Sequence, residues 1–407
     1  MIRKPKLLAL AACIAWWAVP VFADSPIPAP PPHPPGSGHL LTVGPGKQFA
    51  RPSQAIAAAH DGDTIEIDAD GNYENDVASI RKNNLTIEGV GGMAKIVTDG
   101  RVAQRKGIWV FEAGFTNLTV KNLDFEGARV SDADGANGAG IRAQGTNLTV
   151  IGCRFYNNQD GILGGMGTTV IEHCEFDHNG LTGLTHNAYI GDQKGTLFFL
   201  YNYSHDTVVG HLLKSRDAVN YILYNRLTDN AGTGSYELDL PNGGFADIIG
   251  NVIQQSAGSQ NSTILAYGEE GVVSPKSELN VINNTFVNDR GGGIFINAGK
   301  LPDRLRVVVL NNIFAGPGTR NIAHTDNQWM QANVQATISG AGFRDPAHYD
   351  YHLTAGSPAI GRGIRTHPDA MGNSLVPTEQ YVDPCDKTAR SRGGVDAGAF
   401  AFERPSK

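Results

Sequence analysis

Apolar residues recur along the middle of the chain at a fixed phase of a unit that varies in length. Each unit is marked by a landmark residue with an apolar residue three positions before it and, in nearly every unit, another two positions after it. The landmarks are 21 to 33 residues apart, and they are Leu123, Cys153, Cys174, Asn202, Asn225, Asn251, Asn284 and Asn312. Short apolar runs with Gly-rich turns between them, and no helical periodicity, predict a solenoid of stacked coils.

A parallel β-helix fits this pattern better than a leucine-rich repeat, which would place Leu at several fixed offsets in each unit. In a β-helix, like residues stack over like, so an Asn in a turn can bond the backbone and the Asn of the next coil. The Asn-x-Thr triplets that begin at Asn84, Asn117 and Asn147 fit such a repeat better than they fit glycosylation acceptors.

The two ends of the solenoid have different predicted caps. Pro52 and Ser53 open a helix over residues 52–59, which should plug the amino-terminal end before a strand at residues 64–67. The landmark is lost from about Asn327, so irregular coils should close the other end. The predicted domains are a signal peptide (1–23), a Pro-rich linker that stays unpacked (24–40), the parallel β-helix (41–326) and the C-terminal capping coils (327–407).

The first residues predict export. A basic start is followed by an apolar run to Phe22 and a small-residue cleavage site after Ala23, which is typical of a secretory signal peptide. The alternative is a lipoprotein cleavage box at Cys13. No later stretch reaches the ~20 apolar residues of a membrane helix. We therefore expect a secreted or periplasmic protein without a membrane span.

Composition and charge exclude some fold classes and partners. The 407 residues include 50 Gly, which argues against a helical protein, and the net charge of -7 argues against a nucleic-acid partner. Cys153 and Cys174 occupy adjacent landmark positions, where they can form two stacked thiols or a disulfide, and Cys385 has no evident partner. We expect the protein to act as a monomer.

Residues 186–242 gather the candidate chemistry. Three strand-like pieces begin at His186, His211 and Tyr236, each 25 residues after the one before. If each piece is one level of the stack, strand alternation places Tyr189, Lys214 and Asp239 in one outward-facing column. Parallel strands lie ~4.8 Å apart, so a phenol, an ammonium group and a carboxylate would be neighbours.

The stacked pattern, the amino-terminal helix and the ending Ser357-Pro358-Ala359-Ile360 with Asp396-Ala397-Gly398-Ala399 resemble the right-handed parallel β-helix proteins of the pectate-lyase-like superfamily. This resemblance implies an all-β, single-stranded, right-handed parallel β-helix. Lys214-Ser215, followed by residues 219–225, is similar to the stretch around the base in the chondroitinase B and alginate lyase family. That similarity implies a base at Lys214. The coil after it carries Glu237 and Asp239 where the family has an assisting Arg.

Cleavage of a uronate chain by β-elimination needs a base, an acid for the leaving oxygen and a positive group at the carboxylate. Lys214 is the favoured base, and Tyr189 or Tyr236 can serve as its acid or base partner. Arg216 can bind the carboxylate in a bidentate manner.

Several neighbours have alternative assignments. His186, His205 and His211 are alternative bases by a further resemblance to uronate lyases with an Asn–His–Tyr group, and His186 and His211 can instead be bend histidines bonded to backbone. Asn187 shares the parity of Tyr189, so it should point outward to the substrate. His205 and Tyr267 are also expected to contact substrate, and Glu269 and Glu270 are candidates for the same groove.

Glu237 and Asp239 are predicted to lie on one face, where their oxygens could bind Ca²⁺ in place of the Arg. The sequence thus predicts a secreted lyase whose partner is an acidic polysaccharide. Three alternatives stay open: a C5-epimerase with the same base, a glycoside hydrolase that uses Glu237 and Asp239, and a non-catalytic glycan-binding envelope protein.

Overall fold

The computed structural model describes residues 26, 28–32, 38–391 and 395–403. Residues 40–336 wind as a right-handed parallel β-helix, in which strands on successive coils pair in parallel and in register. The predicted fold class is confirmed. The predicted signal peptide, its cleavage after Ala23 and the alternative lipid site at Cys13 lie outside the described residues.

Three faces, here called A, B and C in chain order, form the wall of the β-helix. The long strands Ala139–Ile151 and Asp160–Glu172 bend from face A into face B. The other strands of face A are Ala78–Ile80, Gly107–Phe111, Ala188–Ile190, Leu213–Ser215, Leu238–Leu240, Thr263–Tyr267, Ile294–Ala298 and Thr319–Ile322. Those of face B are Leu40–Val43, Thr64–Asp68, Leu85–Val90, Thr116–Lys121, Thr196–Leu200, Val219–Leu223, Phe245–Ile249, Glu278–Ile282, Arg306–Leu310 and Asn327–Gln331. Those of face C are Ala94–Val97, Leu123–Glu126, Arg154–Tyr156, Glu175–Asp177, Tyr203–His205, Arg226–Thr228, Val252–Gln255, Thr285–Asn288, Ile313–Ala315 and Val334–Ala336.

The landmark asparagines form a hydrogen-bonded ladder in the turn between faces B and C. The amide of Asn251 donates to the Ile222 carbonyl at 2.8 Å and to Asn284 Oδ1 at 2.9 Å, while its own oxygen accepts from Asn225. The ladder continues to Asn333, which accepts from Asn312. The prediction that the landmark is lost from residue 327 is therefore wrong, because another strand of face B and another of face C follow it.

We expect Asn251→Ala to lower the free energy of unfolding by about 3 kcal/mol, because it leaves several fully buried backbone and amide groups without partners. Urea denaturation followed by circular dichroism measures this. Asn72→Ala is the matched control, since Asn72 is exposed and accepts one bond from the Glu74 amide. Equal effects of the two substitutions would contradict a stabilising ladder.

A second ladder joins faces A and B. Asn84, Asn117 and Asn147 all adopt left-handed backbone conformations, with φ of 56°, 62° and 63°. Asn117 donates to Asn84 at 2.7 Å and Asn147 donates to Asn117 at 2.9 Å. The Asn-x-Thr triplets thus have the predicted structural role. Cys153 and Cys174 take the expected neighbouring landmark positions and are free, buried thiols.

The interior holds stacked apolar side chains, as the repeat predicted. Phe125, Phe155 and Phe176 stack with ring centroids 5.4 and 4.9 Å apart. The α-helix Pro52–Ala58 covers the amino-terminal end and buries Ala55 and Ile56 in the same core. The predicted helical plug is thereby observed within one residue of its expected bounds.

The residues after 336 return along the outside of the β-helix. They include the 3₁₀ turns Ser339–Ala341 and Pro346–His348 and two antiparallel hairpins, Phe343–Asp345 with Asp350–Leu353 and Glu379–Val382 with Asp386–Ala389. A further 3₁₀ turn, Asp132–Asp134, lies earlier in the chain. The second hairpin places Asp383 on Arg226 at 2.8 Å and Cys385 Sγ near the Cys174 carbonyl. These contacts cover faces B and C, so the tail does more than close the end as predicted.

The described part of the Pro-rich segment contacts face B. Pro31 and Pro32 line a cavity together with Leu118 and Val170, although the linker was expected to remain unpacked. Pro28 and Pro30 line a second cavity with Leu200 and Leu223, so this face offers apolar side chains for the proline rings to cover.

Candidate active site

The central column predicted on face A is present. Tyr189 pairs in register with Lys214, and Lys214 pairs with Asp239. Lys214 Nζ lies 3.1 Å from Asp239 Oδ2 and 5.4 Å from the centre of the Tyr189 ring. The side chains of Lys214 and Asp239 are only 13% and 4% exposed. The wall of the β-helix thus holds a nearly buried amine, carboxylate and phenol together.

Burial raises the pKa of Asp239 to about 6, while the ammonium group of Lys214 acts in the opposite direction. Glu269 and Glu270 contribute further to the rise through their negative charge. The Asp239 carboxylate is therefore a better proton acceptor than an exposed Asp, and it lies within hydrogen-bond distance of Lys214.

Arg216 turns back toward the column just after the strand Leu213–Ser215 ends. Its Nε donates to Tyr189 Oη at 2.7 Å, and its two Nη atoms donate to the Glu270 carboxylate at 2.8 and 3.0 Å. Nη1 also donates to the side chain of Asn242. The bond to Glu270 raises the pKa of Arg216 and lowers that of Glu270. The guanidinium group thus holds a carboxylate in fork-to-fork geometry beside the phenol.

His186, His211 and Tyr236 form a stack at the entrance to face A, with ring centroids 4.5 and 4.8 Å apart. His186 Nδ1 accepts from the His211 amide at 3.0 Å, and His211 Nδ1 accepts from the Tyr236 amide at 3.2 Å. A neutral ring that accepts at Nδ1 carries its proton on Nε2. The proton of His211 therefore points toward Asp239 Oδ2, which is 3.5 Å away.

Burial, with the nearby charge of Lys214, lowers the pKa of His211 to about 3. Burial and the neighbouring positive groups also lower the pKa of His186 well below its usual value. Both rings fit the alternative of bend histidines bonded to backbone, since each Nδ1 is occupied. Tyr236 Oη donates to Glu269 at 3.1 Å, at the edge of the groove.

We expect acid to destabilise the protein through His211. Its pKa is about 3 when folded and about 6.5 when unfolded, so the unfolded state binds more protons between these values. The free energy of unfolding should fall by up to about 5 kcal/mol as the pH drops through this window. Chemical denaturation at several pH values measures the fall. It should be smaller in His211→Asn, whose side-chain oxygen can accept the Tyr236 amide, and unchanged in the exposed control His324→Asn. A parallel decline in all three proteins would contradict the assignment.

Two predicted outward residues point into the β-helix. Asn187 is fully buried and donates to Ser204 Oγ and to the His205 carbonyl, because it belongs to the turn before strand Ala188–Ile190 and not to the strand itself. Tyr267 is also fully buried and donates to the Gly244 carbonyl. Neither can contact substrate on face A as expected.

The predicted Ca²⁺ pair does not form. Glu237 is 1% exposed and its carboxylate accepts from Gln255 inside the β-helix, while Asp239 lies outside. The expectation of a shared face is wrong because Glu237 precedes the strand Leu238–Leu240, so strand alternation does not apply to it. The hydrolase alternative that depended on this carboxylate pair loses its basis as well.

His205 lies on face C, away from the Lys214 column. With Glu175 and Asp177 it forms a group whose ligand-type atoms lie within 4.8 Å of one another. Arg154 contacts both carboxylates at 3.3 and 3.2 Å. Although burial opposes it, hydrogen bonds to Asp206 and Glu175 raise the pKa of His205 to about 9. In this structure Arg154 and His205 contact these carboxylates, and the group is a candidate metal site distinct from the predicted Glu237–Asp239 pair.

The structure adds a cleft that continues from Arg216 along face A. Its volume is about 580 Å³, and its lining residues are Glu269, Glu270, Asn297, Gly299, Lys300 and Asn321. Asn297 and Asn321 occupy the same register on consecutive face A strands. Glu269 and Glu270 were predicted as candidates for this groove, whereas Asn297, Lys300 and Asn321 were missed, although the repeat of Asn was an available sequence signal.

In the described part of the chain, no helix is long and apolar enough to cross a membrane. No protein-family model and no curated protein matches the sequence. Among solved structures, the chain is similar to a mutant of the PL6 family alginate lyase AlyGC, at 16% identity and a TM-score of 0.39. The match covers 76% of this chain and 41% of that one, so the chain spans about two fifths of the length of that lyase. It is also similar to pectate lyase Pel9A, at 15% identity and a TM-score of 0.39, over 90% of this chain and 97% of that one.

Proposed function

We propose that the protein is a polysaccharide lyase that cleaves a uronate-containing glycan by β-elimination. The observation that carries this proposal is the column of Tyr189, Lys214 and Asp239 with Arg216 bonded to its phenol. These groups include a candidate base, a candidate acid and a carboxylate-binding cation on one outer face. The amino-terminal sequence pattern supports action outside the cytoplasm, and we propose a monomer.

Arg216 binds the uronate carboxylate in this proposal. Its contact with Glu270 has the geometry that a substrate carboxylate would adopt, and the Glu270 side chain is 52% exposed. A uronate can therefore take the place of Glu270 on the guanidinium group. Neutralising the carboxylate in this way makes the proton on C5 more acidic.

Lys214 removes the C5 proton. Its ammonium group first passes a proton to Asp239, whose Oδ2 lies 3.1 Å away, and the resulting neutral amine is the base. Asp239 can accept this proton because burial raises the pKa of its carboxyl group to about 6. His211, with its Nε2 proton directed at Asp239, serves as a positioning residue.

Tyr189 protonates the leaving oxygen. Since its oxygen accepts from Arg216 Nε at 2.7 Å, its own proton is free to be donated to a substrate. The same guanidinium group stabilises the phenolate left behind. Elimination then forms a double bond between C4 and C5 as the bond from C4 to the leaving oxygen breaks.

The test is the ultraviolet absorbance of unsaturated uronate products, measured on a panel of uronate-containing polysaccharides. At least one polymer should give the absorbance together with shorter chains. Exchange of the C5 proton for deuterium without chain cleavage would indicate an epimerase instead. Binding of a polymer without cleavage and without proton exchange would indicate a glycan-binding protein. Proton exchange alone, or binding alone, would reject the lyase.

A further inference from the structure

We propose that the sugar next to the reacting uronate carries no carboxylate, so that the substrate is a copolymer of uronate with a neutral or amino sugar. This inference rests on the proposed function and names its substrate class. It follows from the cleft that continues from Arg216, because a glycan chain lying along face A must pass through it.

The cleft and the Arg216 site form one continuous surface. Glu270 lines the cleft and also contacts Arg216. Asn297 lies three coils after Lys214 on the outer side of face A. Strands on successive coils are ~4.8 Å apart, a step comparable to one sugar ring in an extended chain. The sugar joined to a uronate at Arg216 therefore meets Glu269 and Glu270 first, and Asn297 is reached by sugars further along the chain.

The groups inside the cleft are suited to hydroxyl groups. Glu269 accepts from Tyr236 at 3.1 Å and from Asn297, whose oxygen in turn accepts from Asn321 at 2.7 Å. A carboxylate beside two amides offers both acceptors and donors on a polar surface. Such a set can bond neighbouring hydroxyl groups of a sugar or the amine of an amino sugar.

The charges of this surface disfavour a second uronate. Lys214 and Arg216 are each matched by an acid within 3.1 Å, namely Asp239 and Glu270. Of the remaining charged groups, Glu269 lies within the hydrogen-bonded set and Lys300 is exposed at its edge. Positive and negative charges on this surface are therefore equal in number: Lys214, Arg216 and Lys300 against Asp239, Glu269 and Glu270.

A polymer made of uronates alone adds one negative charge per sugar, and from Lys214 to Lys300 this surface has no excess of cations to balance a row of carboxylates. A carboxylate in the cleft would lie against Glu269 as well. An alternating copolymer has one carboxylate in each disaccharide. When that carboxylate lies at Arg216, the neighbouring sugar places an uncharged ring, or an ammonium group, beside Glu269.

The experiment measures binding by calorimetry at low ionic strength in a Tyr189→Phe background, which retains every charge. The probes are oligomers of equal length: polygalacturonate and polymannuronate as pure polyuronates, and hyaluronan and heparosan as alternating copolymers. We expect at least one copolymer to bind about tenfold more tightly than either polyuronate. Adding Glu269→Gln should reduce this ratio severalfold by improving polyuronate binding. Glu66→Gln is the matched control, since it makes the same charge change on a strand of face B.

Equal or tighter binding of the polyuronates, or a ratio that Glu269→Gln leaves unchanged, would overturn the inference. The proposed reaction is judged separately, by product absorbance with the unmodified enzyme on the same four oligomers. Preferred binding of a copolymer without unsaturated product would reject the lyase and leave the charge inference standing. Cleavage of the polyuronates, together with tighter binding of polyuronates than of copolymers, would support the lyase and overturn the charge inference.

Discussion

Replacing Lys214 by alanine should lower kcat/KM on the cleaved polymer by about 10³-fold or more, because the variant lacks the base that removes the C5 proton. The effect should fall mainly on kcat, since Arg216 and Glu270 are untouched. Rates of formation of the unsaturated product, measured over a range of substrate concentrations, separate the two constants.

The fold should tolerate Lys214→Ala. Burial already raises the pKa of Asp239 to about 6, so an Asp239 left without Lys214 can become protonated instead of remaining a buried charge. A thermal melt checks this. Lys121→Ala is the matched control: Lys121 points outward at the end of a face B strand, 3.8 Å from Glu88. Activity within twofold of the unmodified enzyme after Lys214→Ala would remove Lys214 from the mechanism.

Replacing Tyr189 by phenylalanine should lower kcat by about 10²-fold, because only the proton donor to the leaving oxygen is lost. KM should change little, since the ring remains beside Lys214 and Arg216 keeps Glu270 and Asn242 as partners. The loss should be smaller for a substrate whose leaving group departs without protonation. Steady-state kinetics with two leaving groups tests both expectations.

Tyr156→Phe provides the control for this substitution. Tyr156 also lies beside an arginine, with the Arg154 guanidinium 4.6 Å from its ring centre, but it is on face C. It should leave both constants unchanged. A similar loss in Tyr156→Phe and Tyr189→Phe, or no loss in either, would show that the phenol on face A is not the acid.

The β-helix and its central column could be predicted because both depend on local periodicity. Equal steps of 25 residues placed Tyr189, Lys214 and Asp239 at the same register, and alternation within each strand directed them outward. The landmark asparagines were recognisable for the same reason, since one turn geometry repeats along the stack.

The wrongly predicted side-chain orientations belong to residues just outside the strands. Asn187 and Glu237 each precede a three-residue strand, and in the turn before it the backbone no longer alternates. Both side chains therefore point inward to buried hydrogen-bond partners. Asn333 was missed as a landmark because the apolar pattern around it is weaker, although its ladder contact is the same as in earlier coils.

The sequence by itself determined the coil, its ladders and the amine, phenol and carboxylate of the central column, because each depends on residues at one repeating phase. Only the tertiary structure decided which charges are matched. Glu270 reaches Arg216 from 54 residues away through a loop whose path no periodicity describes. The chain past the last coil likewise returns along faces B and C, as in the contact of Asp383 with Arg226. Such contacts depend on the whole packed surface, and short-range pattern does not encode them.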